Sequence, residues 1–431
     1  MTGLYQHSAG VGFMNSDKGT PAYQGFLNDK CATIAEILKE EGYRTIVSGK
    51  WHVGSARNQW PDHRGFEQSY GLPKGGGLYF YPSKFVDRPI IKNGIEVFPD
   101  STSFYSTDNF TDEAIKFIGN SKPDKKPFFL YLPYIAPHFP LQAWPEDIAK
   151  YKGMYDKGYD SVRQKRFRNQ KKLGIVAADV SISSSEFDLW SAENADVEAG
   201  KMEVFAAQVD RLDQNIGKLV AHLKSIGEWE NTVIMFLSDN GASSEVFDRA
   251  PGALVGTNAS FRSYGKSWAN VSNTPYRKYK MDEYEGGTLT PLIIHWPKGV
   301  KKNGRRINNP VHIIDIMPTC LDIAKASYPK KYNERKLHPL DGQSFFNMLS
   351  SEESQEERTL YWEHMGNKAI RTGDWKLVQQ LGKNWELYDL DNDPTERNDL
   401  ADSQQGLVKK MEKKWNIWAD EVKVRSWPLE P

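Results

Sequence analysis

The chain has 431 residues, 39% of them hydrophobic, and 56 Lys plus Arg balance 56 Asp plus Glu, so its formal net charge is zero. Balanced charge removes any global electrostatic case for nucleic acid or an anionic membrane surface as partner, so an anionic ligand must be held locally. The longest apolar stretch, PFFLYLPYIAP, falls far short of the roughly 20 residues a membrane span needs.

The start, MTGLYQHSAG, has no basic segment followed by an apolar one, so no signal peptide is read in the sequence as written. From Thr33, TIAEILKEEGY predicts a helix: Thr33 and Glu36 have capping-box spacing, apolar residues recur at three and four, and Gly42 suits its end. A strand, RTIVS, follows. The pattern repeats at TDEAIKFIGN before PFFLYLPYIA, and at MEVFAAQVDRLDQNIGKLVAHLKSIG before TVIMFLSDNGA. In that last helix Phe205, Val209, Leu212, Ile216, Leu219 and Leu223 form one apolar face, read as core. TPLIIHWP predicts a fourth buried strand. Helices alternating with short apolar strands predict an α/β fold, a mainly parallel sheet flanked by helices on both sides.

Residues 145–200, polar and tyrosine-rich, read as an excursion from that sheet. From about 310 the texture changes: a helix at IIDIMPTCLDIAKA, short antiparallel strands at TLYWEHM, KAIRTGDWKLVQQ and WELYDLDNDPTERNDLA, then a closing helix. The expected division is a larger domain over 1–309 and a smaller α+β domain over 310–431. Cys31 and Cys320 share no metal or disulfide spacing and read as small core residues.

Ligands of parallel α/β sheets bind beyond the carboxyl ends of the strands, where loops converge. IVSGKWH delivers Lys50 and His52 there, FLYLPYIAPH delivers His138, and VIMFLSDNG delivers Asp239 and Asn240. Lys280 lies just before the last apolar strand. On extended backbone, residues two apart point the same way, so Lys50 and His52 share a pocket over Trp51; the plainer alternative is a surface lysine beside a core histidine. His138 is equally readable as a loop histidine. Asp239 and Asn240 are adjacent oxygen donors suited to a hard cation, Ca²⁺ or Mg²⁺, although D-N-G is also an ordinary turn. Two lysines, two histidines and a divalent cation suit a sulfate or phosphate ester, whose transferred oxygens need preorganised positive groups. The aromatic stretch GGGLYFYP, 75–82, reads either as a sugar-stacking rim or as packing, and His63, Arg64 and Trp144 either border the pocket or hold loops.

Taken together, MTGLYQH, SGKWHVG, RGFEQSYG, APHFPL, FLSDNGA, YEGGTLTPLIIHWP, DIMPTCLDIA, LDGQSF, AIRTGDWKLV and LYDLDNDPTERNDLA resemble the sulfatase family of the alkaline phosphatase superfamily, bacterial arylsulfatases above all. The resemblance implies an alkaline phosphatase-like fold, periplasmic or secreted placement, and hydrolysis of sulfated carbohydrates or aryl or alkyl sulfates. It implies that Lys50 and His52 attend the nucleophile, that His138 meets the sulfate and leaving oxygen, that Lys280 binds sulfate oxygens, and that Asp239 and Asn240 ligate Ca²⁺.

The same resemblance implies formylglycine, made within a Cys/Ser-x-Pro/Ala-x-Arg motif just before the position of Thr2. Met1 alone precedes it, and neither cysteine fits the motif. The expectation is that the chain as written lacks its nucleophile segment, a first strand and a further pair of metal-binding aspartates, and is inactive. A truncated reading frame, a non-catalytic binder of sulfated glycans, and a phosphodiester or phosphonate hydrolase are the three explanations. No oligomeric state is read from the sequence.

Overall fold

The computed structural model describes residues 1–431 apart from 15, 120–125, 301–303, 351–356 and 430–431. The first long helix, α1 (Ile34–Glu40), begins as its sequence dictates. The Thr33 hydroxyl accepts the Glu36 N–H at 3.0 Å, and the Glu36 carboxylate accepts the Thr33 N–H at 2.8 Å. That carboxylate is buried and also pairs with Arg64 at 3.2 Å; Arg64 in turn donates to the carbonyls of Leu27 and Cys31. Arg64 therefore ties α1 to the loops around it, and of the two readings of this residue the structural one is observed.

Strand β1 (Arg44–Lys50) runs parallel to β2 (Gln68–Leu72) on one side and to β5 (Phe128–Tyr131) on the other. An antiparallel hairpin, β3 (Ile90–Lys92) and β4 (Ile95–Val97), extends the sheet beyond β2 in the order β4-β3-β2-β1-β5. Helix α2 (Ser106–Gly119) covers one face; the last residue of the predicted TDEAIKFIGN helix, Asn120, lies outside the described residues. Helix α3 (Gly158–Lys172) lies within the excursion, and α4 (Ala195–Ser225) follows it. Leu212 and Leu223 of α4 join Ile46, Phe110 and Phe117 in the largest apolar cluster, while Phe205 belongs to a second cluster around Trp268. Val209 falls between the two clusters and is 43% exposed, so it is a solvent position and the predicted core face is interrupted there.

Strand β6 (Ile234–Leu237) pairs antiparallel with β7 (Leu292–His295) as a separate two-stranded ribbon. The expectation of a buried fourth strand is corrected here. Ile293 is 59% exposed because a cleft of about 3670 Å³ separates this ribbon from β5. Among the described residues the outer edge of β5 and that of β6 carry no ladder partner, and their apolar side chains line the cleft.

After α5 (Ile316–Ala324), four antiparallel strands follow in sequence order: β8 (Thr359–His364), β9 (Asn367–Thr372), β10 (Trp375–Gln379) and β11 (Glu386–Asp389). The closing helix α6 (Gln405–Val422) sets Met411, Trp415 and Trp418 on Ile370, Leu377 and Leu387. This is an α/β fold with a separate antiparallel sheet in its C-terminal part.

Candidate active site

Lys50 is the last residue of β1, and its N–H donates to the Pro133 carbonyl at 2.8 Å, which fastens it to the loop after β5. Trp51 is buried beneath, its indole N–H held by the Gln59 carbonyl at 2.9 Å and its ring edge-on to Phe66. His52 breaks the extended alternation. Its φ is 60°, in the left-handed region, so it reaches the pocket by a local twist of the chain, and the strand pleat is not what pairs it with Lys50. Gly75 presses on its ring from the opposite loop: a Cβ there would lie 2.8 Å from His52 Cδ2, and the φ of +107° itself favours glycine.

His138 is held at two points. Its Nδ1 lies 2.7 Å from the Phe139 carbonyl oxygen, which fixes the proton on Nδ1 and leaves Nε2 free in the neutral ring. Its own carbonyl accepts the hydroxyl of buried Tyr79 at 2.7 Å. The stretch 75–82 thus acts chiefly by packing, with Phe80 against Trp144 and Tyr105. Trp144 donates to Asp108, and His63 sits in a short turn after Pro61; with Arg64, none of the three lines the cleft.

Asp239 and Asn240 follow β6. Asn240 Nδ2 donates to the Gly241 carbonyl at 2.8 Å, leaving its amide oxygen available. Gly241 donates to the Gly287 carbonyl at 2.9 Å, and a Cβ on it would stand 1.8 Å from the Gly286 carbonyl oxygen, so only glycine permits the two loops to touch. Lys280 joins the same loops through its N–H to the Ala242 carbonyl at 2.9 Å, while its ammonium lies 3.4 Å from Glu245.

These groups act on one another. Desolvation first, then the charges of Lys280 and Arg88, lowers the Lys50 pKa, and Asp239 opposes them. Burial pushes His52 down to about 3, aided by Lys50, Arg88, His138 and Lys280. Burial likewise takes His138 down to about 4, with Lys280 and Lys50 contributing. Both imidazoles are neutral near pH 7. Lys50, His52, His138, Asp239, Asn240 and Lys280 therefore share one positively biased cleft.

Sequence reasoning did not single out Glu245 or Arg88, which stand in loops without periodicity. Spacing carries no signal for contacts made across loops. For a divalent cation, Asp239 and Asn240 offer hard oxygen donors of the right chemistry. Two such donors fall short of the six to eight that Ca²⁺ takes, and the described residues hold no group of three His, Cys, Asp or Glu able to bind a metal. Neither cysteine is placed to serve: Cys31 packs against Arg64, and Cys320 sits on α5.

The Sulfatase family matches residues 1–326, and the family described as N-sulphoglucosamine sulphohydrolase, C-terminal, matches 276–420. An uncharacterized sulfatase of Schizosaccharomyces pombe is 32% identical over 99% of this chain and 85% of its own length. An arylsulfatase of Klebsiella aerogenes is 33% identical over 80% of this chain and 79% of its own. The crystal structure of Ps i-CgsB in complex with k-i-k-neocarrahexaose superposes with a TM-score of 0.72 at 27% identity, covering 100% of this chain and 82% of that one. No helix among the described residues is long and apolar enough to cross a membrane. With family matches over nearly the whole length and relatives above 30% identity, the chain belongs to the sulfatase family of sulfuric ester hydrolases.

Proposed function

We propose that this cleft binds the sulfate group of a sulfated carbohydrate or of an aryl or alkyl sulfate and splits the ester to inorganic sulfate. The observation that carries the reading is the convergence of two lysines and two neutral imidazoles from the ends of β1 and β5 and from the loop at Lys280, with Asp239 and Glu245 as the nearby carboxylates. Lys50 and Lys280 supply fixed positive charge for the sulfate oxygens. His52 takes a proton from the attacking group, and His138, once the bound anion raises its pKa and Nε2 takes up a proton, gives that proton to the leaving oxygen while Nδ1 stays on the Phe139 carbonyl. Asp239 and Asn240 would supply two of the oxygens around Ca²⁺, which contributes further positive charge when bound. For the nucleophile the resemblance implies formylglycine, and neither Cys31 nor Cys320 is placed to become it. The resemblance further implies a periplasmic or secreted location.

The test is sulfate release from an aryl sulfate by the chain joined at its start to a segment that carries the Cys/Ser-x-Pro/Ala-x-Arg motif with formylglycine installed, beside its Lys280→Ala and His138→Ala variants and a phosphodiester control. Removing a preorganised charge or proton donor costs about 10²–10³-fold in turnover. Undiminished turnover in both variants, or a preference for the phosphodiester, overturns the assignment.

A further inference from the structure

Two residues close to Lys280 hold left-handed backbone without being glycine: Lys278, at a φ of 67°, and Met281, at a φ of 79°. In that region Cβ crowds the adjacent carbonyl oxygen, and such residues persist only where their surroundings over-determine them. Both are held in the same way. The Asn273 amide Nδ2 donates to the Lys278 carbonyl at 2.9 Å, and the Asn367 amide Nδ2 donates to the Met281 carbonyl at 2.8 Å. Lys280 lies between the two clamped carbonyls.

Each amide is itself anchored on a regular element. Asn273 closes the helix Gly265–Ser272, with its N–H on the Ala269 carbonyl at 3.0 Å, and its Oδ1 accepts the Ala242 N–H at 2.9 Å. The Ala242 carbonyl in turn accepts the Lys280 N–H. One side chain thereby joins the loop after Asp239 and Asn240 to the loop that carries Lys280. Asn367 opens β9 of the C-terminal sheet, and its Oδ1 accepts the Leu381 N–H at 3.0 Å. The second clamp therefore comes from outside the parallel sheet.

A lysine ammonium rides on a flexible four-carbon stem, so the direction in which its backbone launches the side chain limits where the charge can go. Left-handed turns before and after Lys280 set that direction, and the ammonium lies in the cleft 3.4 Å from Glu245. Resting on the sulfate-ester reading above, we propose that Asn273 and Asn367 are positioning residues for that reaction, which hold the Lys280 ammonium at the sulfate by clamping the left-handed carbonyls on either side of it.

The test is a double-mutant cycle on inorganic sulfate affinity, read by calorimetric titration of the 431-residue chain, with Asn273→Ala and Asn367→Ala each made alone and together with Lys280→Ala. Asn367→Ala is the cleaner arm, because the Leu381 N–H that it also releases is exposed. Each single asparagine variant should weaken sulfate about three- to tenfold, the range of one lost hydrogen bond. In the Lys280→Ala background the same substitutions should change affinity by less than about twofold, since no ammonium is left to misplace. Equal losses in both backgrounds, as a merely structural asparagine would give, overturn the proposal, and so does wild-type affinity in both single variants. Met281→Gly supplies a rescue that does not depend on Lys280→Ala: glycine takes the left-handed φ freely, so adding it to Asn367→Ala should bring affinity back to within about twofold of the wild type. No recovery counts against the clamp. Should Asn273→Ala fail to fold, judged by far-UV circular dichroism, Asn367→Ala and its rescue decide. Absence of sulfate binding by the wild type, or a Lys280→Ala variant that binds as the wild type does, overturns the underlying site reading instead.

Discussion

The hydroxyl of Tyr79 donates to the backbone carbonyl of His138 at 2.7 Å, from a side chain with no exposed surface. An aromatic ring in a glycine-rich loop thereby sets the height of a histidine that arrives from a different strand. With the Phe139 carbonyl holding Nδ1, the bond fixes both the backbone and the ring of His138. Tyr79→Phe removes one hydroxyl and leaves a buried carbonyl without its donor. We expect a stability loss of about 1–3 kcal/mol in urea denaturation. An unchanged midpoint would show that His138 is held without this bond.

Gly75→Ala should perturb His52 directly. The new Cβ would sit 2.8 Å from Cδ2 of the imidazole at a φ of +107°. A strain of about 1–3 kcal/mol follows. We expect weaker binding of inorganic sulfate as well as lower stability, and titration calorimetry beside thermal unfolding separates the two. Wild-type affinity in a stable variant would mean that the loop moves freely.

Sulfate binding should take up protons. Burial holds His52 down to about 3 and His138 to about 4, with Lys50 and Lys280 adding repulsion. An anion between these groups cancels that repulsion and raises both values. Because the bound state then binds more protons than the free state, affinity must rise as pH falls, by up to about tenfold per unit for each proton taken up. Titrations carried from pH 7 down toward pH 4.5, in two buffers of different ionisation heat, measure this uptake. In the unliganded protein the same depressed values run the other way for folding. The unfolded chain binds protons first below the ordinary histidine value of 6.5, so stability declines as pH drops below it.

Lys376 is fully buried on β10, 2.7 Å from Glu285 and 3.0 Å from Glu396, and so links the C-terminal sheet to the loop behind Lys280. Desolvation already pushes Glu396 up to about 7, against the pull of Lys376. Lys376→Met strands both carboxylates and should cost about 3–5 kcal/mol near pH 8. A carboxyl whose folded pKa is raised takes up its proton as pH falls, so the loss should shrink at pH 5.5. Equal losses at both pH values in urea titrations would contradict the buried-charge explanation.

Much of this protein is legible along the chain because the signals are local. The Thr33 and Glu36 cap, the apolar run of β1 and the helix carrying Leu212 and Leu223 follow from periodicity and hydrogen-bonding chemistry within a few residues. Strand ends deliver Lys50, His138 and Asp239 by the same logic, since apolar runs must stop where polar side chains meet solvent. Contacts between loops are decided elsewhere. That His52 turns left-handed, that Tyr79 packs under His138, that β7 lies exposed beside a cleft, and that Arg88 holds the Gly76 carbonyl depend on which segments meet in space. Those meetings are set by the closure of the whole core, and residues far apart in sequence have no periodicity to announce them.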